Sequence, residues 1–313
     1  METTRNKIVT DFQRQAQALM CLRAFDALCA KSKGICHLVP LKGIDLLRTL
    51  YADTLDRDLH DIDLLVYPAE KAMDFIALLQ AEGYRPEFAH ALDAAALQTK
   101  KKVSMLAPSE NLPHVDVHIA LVTKKFFSMT INGFNEDALT RLQPVDEVVS
   151  ELDKIDRWLF LASHLAFHFL TGDKWYRDLA LLWDRMDEQE KAVLFERAKQ
   201  YHFDRIVEAV LFRMQGGEPN SRFLRYVAYV TANPKRLEHG IRPSRYYWEF
   251  FLIGDDAERR RAYRALLFPS LGNMQNIYRC HALVAVLLYL PHVLLNSIGW
   301  LVLTIHYAIY SRA

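Results

Sequence analysis

The chain has 313 residues, with 39 Lys and Arg against 38 Asp and Glu and a net charge of +1. It is 51% apolar and 25% charged, which excludes a disordered, collagen-like or low-complexity protein and leaves length for two domains with their own cores. The balanced charge speaks against strong nonspecific attraction to nucleic acid, though a local basic patch stays compatible with it. Cys21, Cys29, Cys36 and Cys280 show no C-x-x-C spacing and no disulfide framework, as expected for small apolar residues in a reducing compartment. The first 20 residues are polar and charged, so no secretory leader is expected and the cytoplasm is the expected location.

In chain order, Ile8, Phe12, Ala16, Leu19, Leu22 and Phe25 recur at three- and four-residue spacing and predict a helix over 8–30. Ile35 to Leu41 predicts a strand closing at Lys42-Gly43, and 44–51 a short helical turn. Asp61 to Tyr67 (DIDLLVY) is the strongest strand signal. Pro68 opens a helix over Ala69–Gln80, which Gly83 is placed to stop. Lys101–Leu106 and His114–Leu121 predict two more strands around a polar loop. After Pro144, 3.6-residue periodicity takes over. Helices are predicted over Asp146–Leu170, Trp175–Met186, Glu188–Tyr201, Phe203–Met214, Phe223–Val230, Ser244–Leu252 and Asp256–Leu267. The expected architecture is α+β and mainly helical: a small mixed sheet with flanking helices over 1–145, then a helical domain over 146–313.

The chemistry concentrates in Arg57-Asp58-Leu59-His60-Asp61-Ile62-Asp63. On a strand, Asp61 and Asp63 share one face while Ile62 and Leu64 take the other. Two adjacent carboxylates repel and resist desolvation, and a hard divalent cation resolves that conflict. His114-Val115-Asp116-Val117-His118 repeats the pattern, with Asp116 on a polar face beside His114 and His118. If the two strands pair, three carboxylates converge on a site able to clamp a nucleoside triphosphate, with Asp116 as candidate base.

Lys42-Gly43 closing a strand, Arg57 four residues before a D-x-D strand, and a later V-D-V-H strand together resemble the polymerase-beta-like nucleotidyltransferase superfamily. More narrowly, they resemble the group called uncharacterised nucleotidyltransferase family proteins. The resemblance covers roughly 35–125 and maps onto Gly43, Asp61, Asp63 and Asp116. It continues more weakly through His164, His168 and Arg177-Asp178-Leu179-Ala180. It implies transfer of a nucleotidyl group from an NTP to an acceptor. Asp61, Asp63 and Asp116 would hold Mg²⁺ or Mn²⁺, and Lys42, Gly43 and Arg57 would meet the nucleotide. Lys42-Gly43-Ile44 stands where the superfamily has Gly-Ser, so a phosphate-touching hydroxyl is missing and Lys42 is expected to compensate as a point charge.

Each signal has a plainer counterpart. Arg57 alone reads equally as a surface arginine in a turn, and Lys42 as a lysine at a strand end. His114 and His118 read as partly buried, hydrogen-bonded histidines that could orient a carboxylate. His164 and His168, at i and i+4, could ligate a metal with Asp178, but no Glu follows His164, so the H-E-x-x-H signature fails. The preferred reading there is a structural network or an edge of the acceptor pocket. Two rivals to the enzyme are a catalytically silent nucleotide-binding scaffold and a metal hydrolase at His164, His168 and Asp178.

From His281 to Tyr310 there is no Asp, Glu, Lys or Arg. The stretch is long enough to cross a bilayer, which takes about 20 apolar residues. Pro291 and the polar positions His292, Asn296, Ser297 and Thr304 favour instead a pair of helices packed on the helical domain. A membrane contact through 281–310 is the alternative.

Overall fold

The computed structural model describes the chain except residues 1, 54–55, 88–96, 98–100, 123–127, 233–250, 254–255, 270, 272–273, 275–280 and 313. The helix expected over Ser244–Leu252 falls almost wholly among those residues, as does Cys280. Two compact units divide the chain: Met1–Thr123 with Phe134–Arg157, and Lys124–Gly133 with Trp158–Ala313.

The first unit is built on a mixed five-stranded sheet. Its elements begin with α1 (Glu2–Ser32), β1 (His37–Leu41), α2 (Lys42–Thr49), β2 (Asp61–Tyr67) and α3 (Ala72–Ala81). They continue with β3 (Arg85–Pro86), β4 (Lys102–Leu106), β5 (His114–His118), the part of α4 (Ser128–Thr140) from Phe134 onward, β6 (Gln143–Pro144) and β7 (Ser150–Glu151). The strand order is β1-β2-β5-β4-β3, so β5 is the central strand. β2 and β5 run parallel, and the other neighbours are antiparallel.

Alternation decides which face is dry. Ile62, Leu64 and Val66 of β2 and Val115 and Val117 of β5 enter one apolar core. Ala18, Cys21, Phe25 and Leu28 of α1 cover it, at helical spacing, together with Phe75, Ile76 and Leu79 of α3. Burial raises the Cys21 and Cys29 thiols to about 12 and Cys36 to about 11, as expected of unreactive packing residues.

The structure corrects the expected helix over Asp146–Leu170. Residues 146–153 form a turn and the short strand β7, and the helix runs only over Lys154–Phe167 (α5). The Asp146 carboxylate accepts the backbone N–H groups of Val148 and Val149, both at 2.7 Å, a local bond that outcompetes helix. Val148 then accepts the Leu38 N–H at 2.8 Å. Helix α4 was not expected. It is tied down by Asn135, whose side chain exchanges two hydrogen bonds with the backbone of Val122 at 3.0 and 3.1 Å.

The second unit is helical: most of α5, then α6 (Asp173–Asp184), α7 (Glu188–Gln200), α8 (Asp204–Gln215), α9 (Arg222–Ala232), α10 (Asp256–Leu267) and α11 (Ala282–Tyr310). Trp158 is fully buried and donates its indole N–H to the Leu179 carbonyl at 3.1 Å. A capping box between Asp187 and Glu190 opens α7. The pair of helices expected over 281–310 is one continuous helix that carries Pro291 in its interior.

Candidate metal centre

The parallel pairing of β2 and β5 puts Asp63 directly opposite Asp116, Asp61 opposite His114, and Leu65 opposite His118. Across the antiparallel β4, Ser104 faces Asp116 and Lys102 faces His118. Residues opposite each other share a face. The polar face therefore carries Asp61, Asp63, Asp116, His118, Lys102 and Ser104 over three adjacent strands. The core-facing set, Ile62, Leu64, Val115, Val117, Val103 and Met105, lies on the other side.

Each central acid has a lysine. Lys42 Nζ donates to Asp63 Oδ1 at 2.6 Å, and Lys102 Nζ donates to Asp116 Oδ2. His118 lies 3.0 Å from Asp63 through Nε2, and its Nδ1 is buried without a hydrogen-bond partner. Burial alone would raise the Asp63 carboxyl, but the His118 hydrogen bond and the Lys42 charge outweigh it and hold the group well below the usual carboxylate range. Burial lowers the His118 imidazole, with Asp63 opposing, so it is neutral at pH 7 and donates Nε2–H to Asp63. Burial would lower Lys102, but its bond to Asp116 raises it, so it stays charged.

Asp61 differs. Partial burial, then the like charges of Asp63 and Asp116, push its carboxyl up, while Lys42 and Lys102 oppose. The residue is open to solvent, so the like charges are the firmer of the two causes. Two lysines against three acids leave this face with a residual negative charge.

Lys42 reaches Asp63 because of its backbone. It follows β1 directly and takes a left-handed φ of 51°, unusual for a non-glycine residue. Gly43 follows with no room to spare: a Cβ there would sit 2.5 Å from Leu59 Cδ1. Arg57 is 5% exposed, which excludes a surface arginine. Its Nη1 donates to the Asp58 carbonyl at 2.6 Å and lies 3.9 Å from where a Gly43 Cβ would be. Asp58 in turn pairs with Arg14 of α1. Lys42 and Gly43 thus open α2 beside the acid Asp63, with the Arg57 side chain next to Gly43.

The donor set suits a divalent cation. Ligand atoms of Asp63, Asp116 and His118 lie within 4.8 Å of one another. Two carboxylates and an imidazole, with an orphaned buried nitrogen on the imidazole, are compatible ligands. Asp61 stands outside that tight group but on its face. Lys102 is the residue that the sequence reading missed; the alternation of Lys102 and Ser104 with Val103 and Met105 was the available signal. His118 was noted only as a neighbour of Asp116, yet its bond is to Asp63.

Among the described residues, His164, His168 and Asp178 form no such cluster. The two imidazoles pack 4.7 Å apart, and each lies against Trp175, at 5.2 and 5.0 Å. Asp178 is fully buried.

The mixed sheet with flanking helices and its paired acids is a nucleotidyltransferase-type fold. The chain belongs to a family of uncharacterised nucleotidyltransferases, which it matches over residues 9–215. Comparison with curated proteins gives no match.

Proposed function

We propose that the protein is a metal-dependent nucleotidyltransferase that moves an NMP group from an NTP to an acceptor hydroxyl or phosphate and releases pyrophosphate. The observation that carries this reading is the in-register pairing of Asp63 with Asp116, with Asp61 on the same face. Asp61, Asp63 and Asp116 would hold the cation, which supplies charge stabilisation for the phosphates and the attacking oxygen. Three carboxylates favour Mg²⁺, and recruitment of His118 would favour Mn²⁺.

The remaining roles belong to the chain's own groups. Lys42 and Lys102 neutralise Asp63 and Asp116 in the bare site. Both are flexible and can turn to the triphosphate when a cation takes their place. The backbone at Gly43, at the start of α2, and the guanidinium of Arg57 beside it meet the phosphates. Asp116, beside the reacting centre, accepts the acceptor's proton. His118 fixes the orientation of Asp63. Purified protein incubated with each labelled NTP, Mg²⁺ or Mn²⁺ and cell extract should give a labelled product that a chelator abolishes and Asp63→Asn cannot make. Absence of product with every NTP, in an extract that supports a known nucleotidyltransferase, counts against the reading.

Two features favour a second reading, a silent nucleotide-binding scaffold. The lysines already satisfy both central acids without a cation, and the phosphate-touching serine is replaced. Calorimetry that detects nucleotide binding in Mg²⁺-free buffer, unchanged by Asp63→Asn, would support the scaffold.

A further inference from the structure

Helix α11 is built inside out for a helix in water. A surface helix normally turns its apolar stripe inward and its polar face to solvent. In α11, twelve large aliphatic side chains are exposed, among them Leu283, Leu287, Leu290, Leu294, Leu301 and Ile305. At 100° per residue, the twelve cover about half of the helix circumference, from end to end. The opposite side carries most of the polar and all of the packed aromatic residues. His292 is buried and its carbonyl accepts the Asn296 amide at 2.8 Å. Trp300 meets Tyr263 of α10 at 4.4 Å, Tyr307 stacks on Phe251 at 4.5 Å, and Tyr310 stacks on Tyr229 of α9 at 3.9 Å. Arg225 donates to the Ser311 carbonyl at 2.7 Å and closes the end of the helix.

Such a surface is far larger than the apolar patches of soluble monomers and marks an interaction face. Its neighbour names the partner. Helix α10, packed against α11, exposes Arg260, Arg261 and Arg264. A second copy of the chain on this face would bring two arginine-rich helices together, whereas anionic headgroups attract such a helix. We propose that the aliphatic half of α11 lies in the plane of an anionic lipid bilayer, immersed at the acyl boundary, with the arginines of α10 at the headgroups.

Lying in the plane, rather than crossing, follows from α10. The helix is about 43 Å long and would place its centre near residue 296 at the bilayer midplane. Trp300, and with it the arginine-bearing α10, would then sit about 6 Å from the midplane, where a charged side chain is expensive. An interfacial pose leaves α9 and α10 on the aqueous side. The segment lies beyond the 9–215 match, and the proposal is independent of the metal centre.

The test is flotation of the full chain with vesicles of phosphatidylcholine alone or mixed with phosphatidylglycerol. The chain should float with the mixed vesicles and do so less as salt rises. A variant carrying Leu287→Glu, Leu294→Glu and Leu301→Glu should stay at the bottom with an unchanged circular dichroism spectrum; these positions are 69%, 60% and 59% exposed, so the fold does not need them. A second variant, Arg260→Gln, Arg261→Gln and Arg264→Gln, should partition roughly 100-fold more weakly into the mixed vesicles, about fivefold for each charge. The proposal is overturned if the full chain floats with neither vesicle, if it binds both equally, or if it forms a defined dimer that the glutamates dissociate.

Discussion

Asp63 and Asp116 stand opposite each other on two parallel strands, and each is matched by a lysine from a different element: Lys42, the first residue of α2, and Lys102 from β4. Like charges placed side by side are costly. The protein offsets that cost with its own cations, on the face where a bound metal ion would do the same.

Asp63→Asn and Asp116→Asn should each weaken Mg²⁺ or Mn²⁺ binding by more than the roughly 10–100-fold that partners outside a coordination shell contribute. Both asparagines can still accept the neighbouring lysine's hydrogen bond, so the loss of stability should stay near 1–2 kcal/mol. Calorimetric titration of the cation, alongside urea melts, separates the two effects. Unchanged cation affinity in both variants would remove the acids from the metal centre.

Lys102→Met should act in opposite directions on the two ligands. Without nucleotide, cation affinity should rise by roughly tenfold, because Asp116 loses a competing charge. With nucleotide, the KM for NTP should rise, because a phosphate loses a cationic partner. Cation titration and initial-rate kinetics on one preparation test both signs.

Gly43→Ala should destabilise the protein by about 1–3 kcal/mol, since its Cβ would overlap Leu59 Cδ1. Leu59→Ala removes that atom at a cost of its own. The double variant should therefore be more stable than the sum of the singles predicts, by about 1 kcal/mol or more. Strict additivity in denaturant melts would show that the overlap is relieved elsewhere.

Asp45 gives the pH dependence. It is buried on α2 with Arg157 Nε at 2.9 Å from Oδ2, while its Oδ1 has no hydrogen-bond partner. Burial raises its carboxyl to about 7, and the Arg157 charge offsets only part of the shift. The folded protein thus holds this proton more tightly than the unfolded chain does. The penalty is absent below the ordinary carboxylate pKa of 3.8, grows as pH rises, and is complete above about 7. Wild type should lose on the order of a few kcal/mol across that window through this group. Asp45→Asn should flatten that slope in urea melts run at several pH values.

The sequence disclosed most of this centre because strands advertise themselves by twos. DIDLLVY and HVDVHI each sort their acids from their aliphatics, so the shared face of Asp61, Asp63 and Asp116 was legible. The register between strands 53 residues apart was not; only pairing in space puts Asp63, rather than Asp61, opposite Asp116. That register also explains why His118 serves Asp63 across the strand instead of its own neighbour Asp116. Lys102 escaped notice because a lysine on the polar side of a strand looks the same in sequence whether it meets water or a carboxylate. The two-residue strands at 85–86, 143–144 and 150–151 are too short to carry a period. The helix predicted from Asp146 started too early because Val148 and Val149 extend an apolar spacing, while a single side-chain turn at Asp146 redirects the backbone. Pro291 misled in the other direction: it removes one donor, yet α11 continues past it.

The central position of β5 has a consequence for how the protein comes into being. β1 and β2 can pair as soon as both have been synthesised, and β3 and β4 can pair with each other. Neither couple touches the other until the strand from His114 to His118 slots between them. That last insertion also delivers Asp116 and His118. A nascent or truncated chain lacking it has two ribbons and only Asp61 and Asp63 of the three acids, so assembling the sheet and bringing Asp63 opposite Asp116 are a single event.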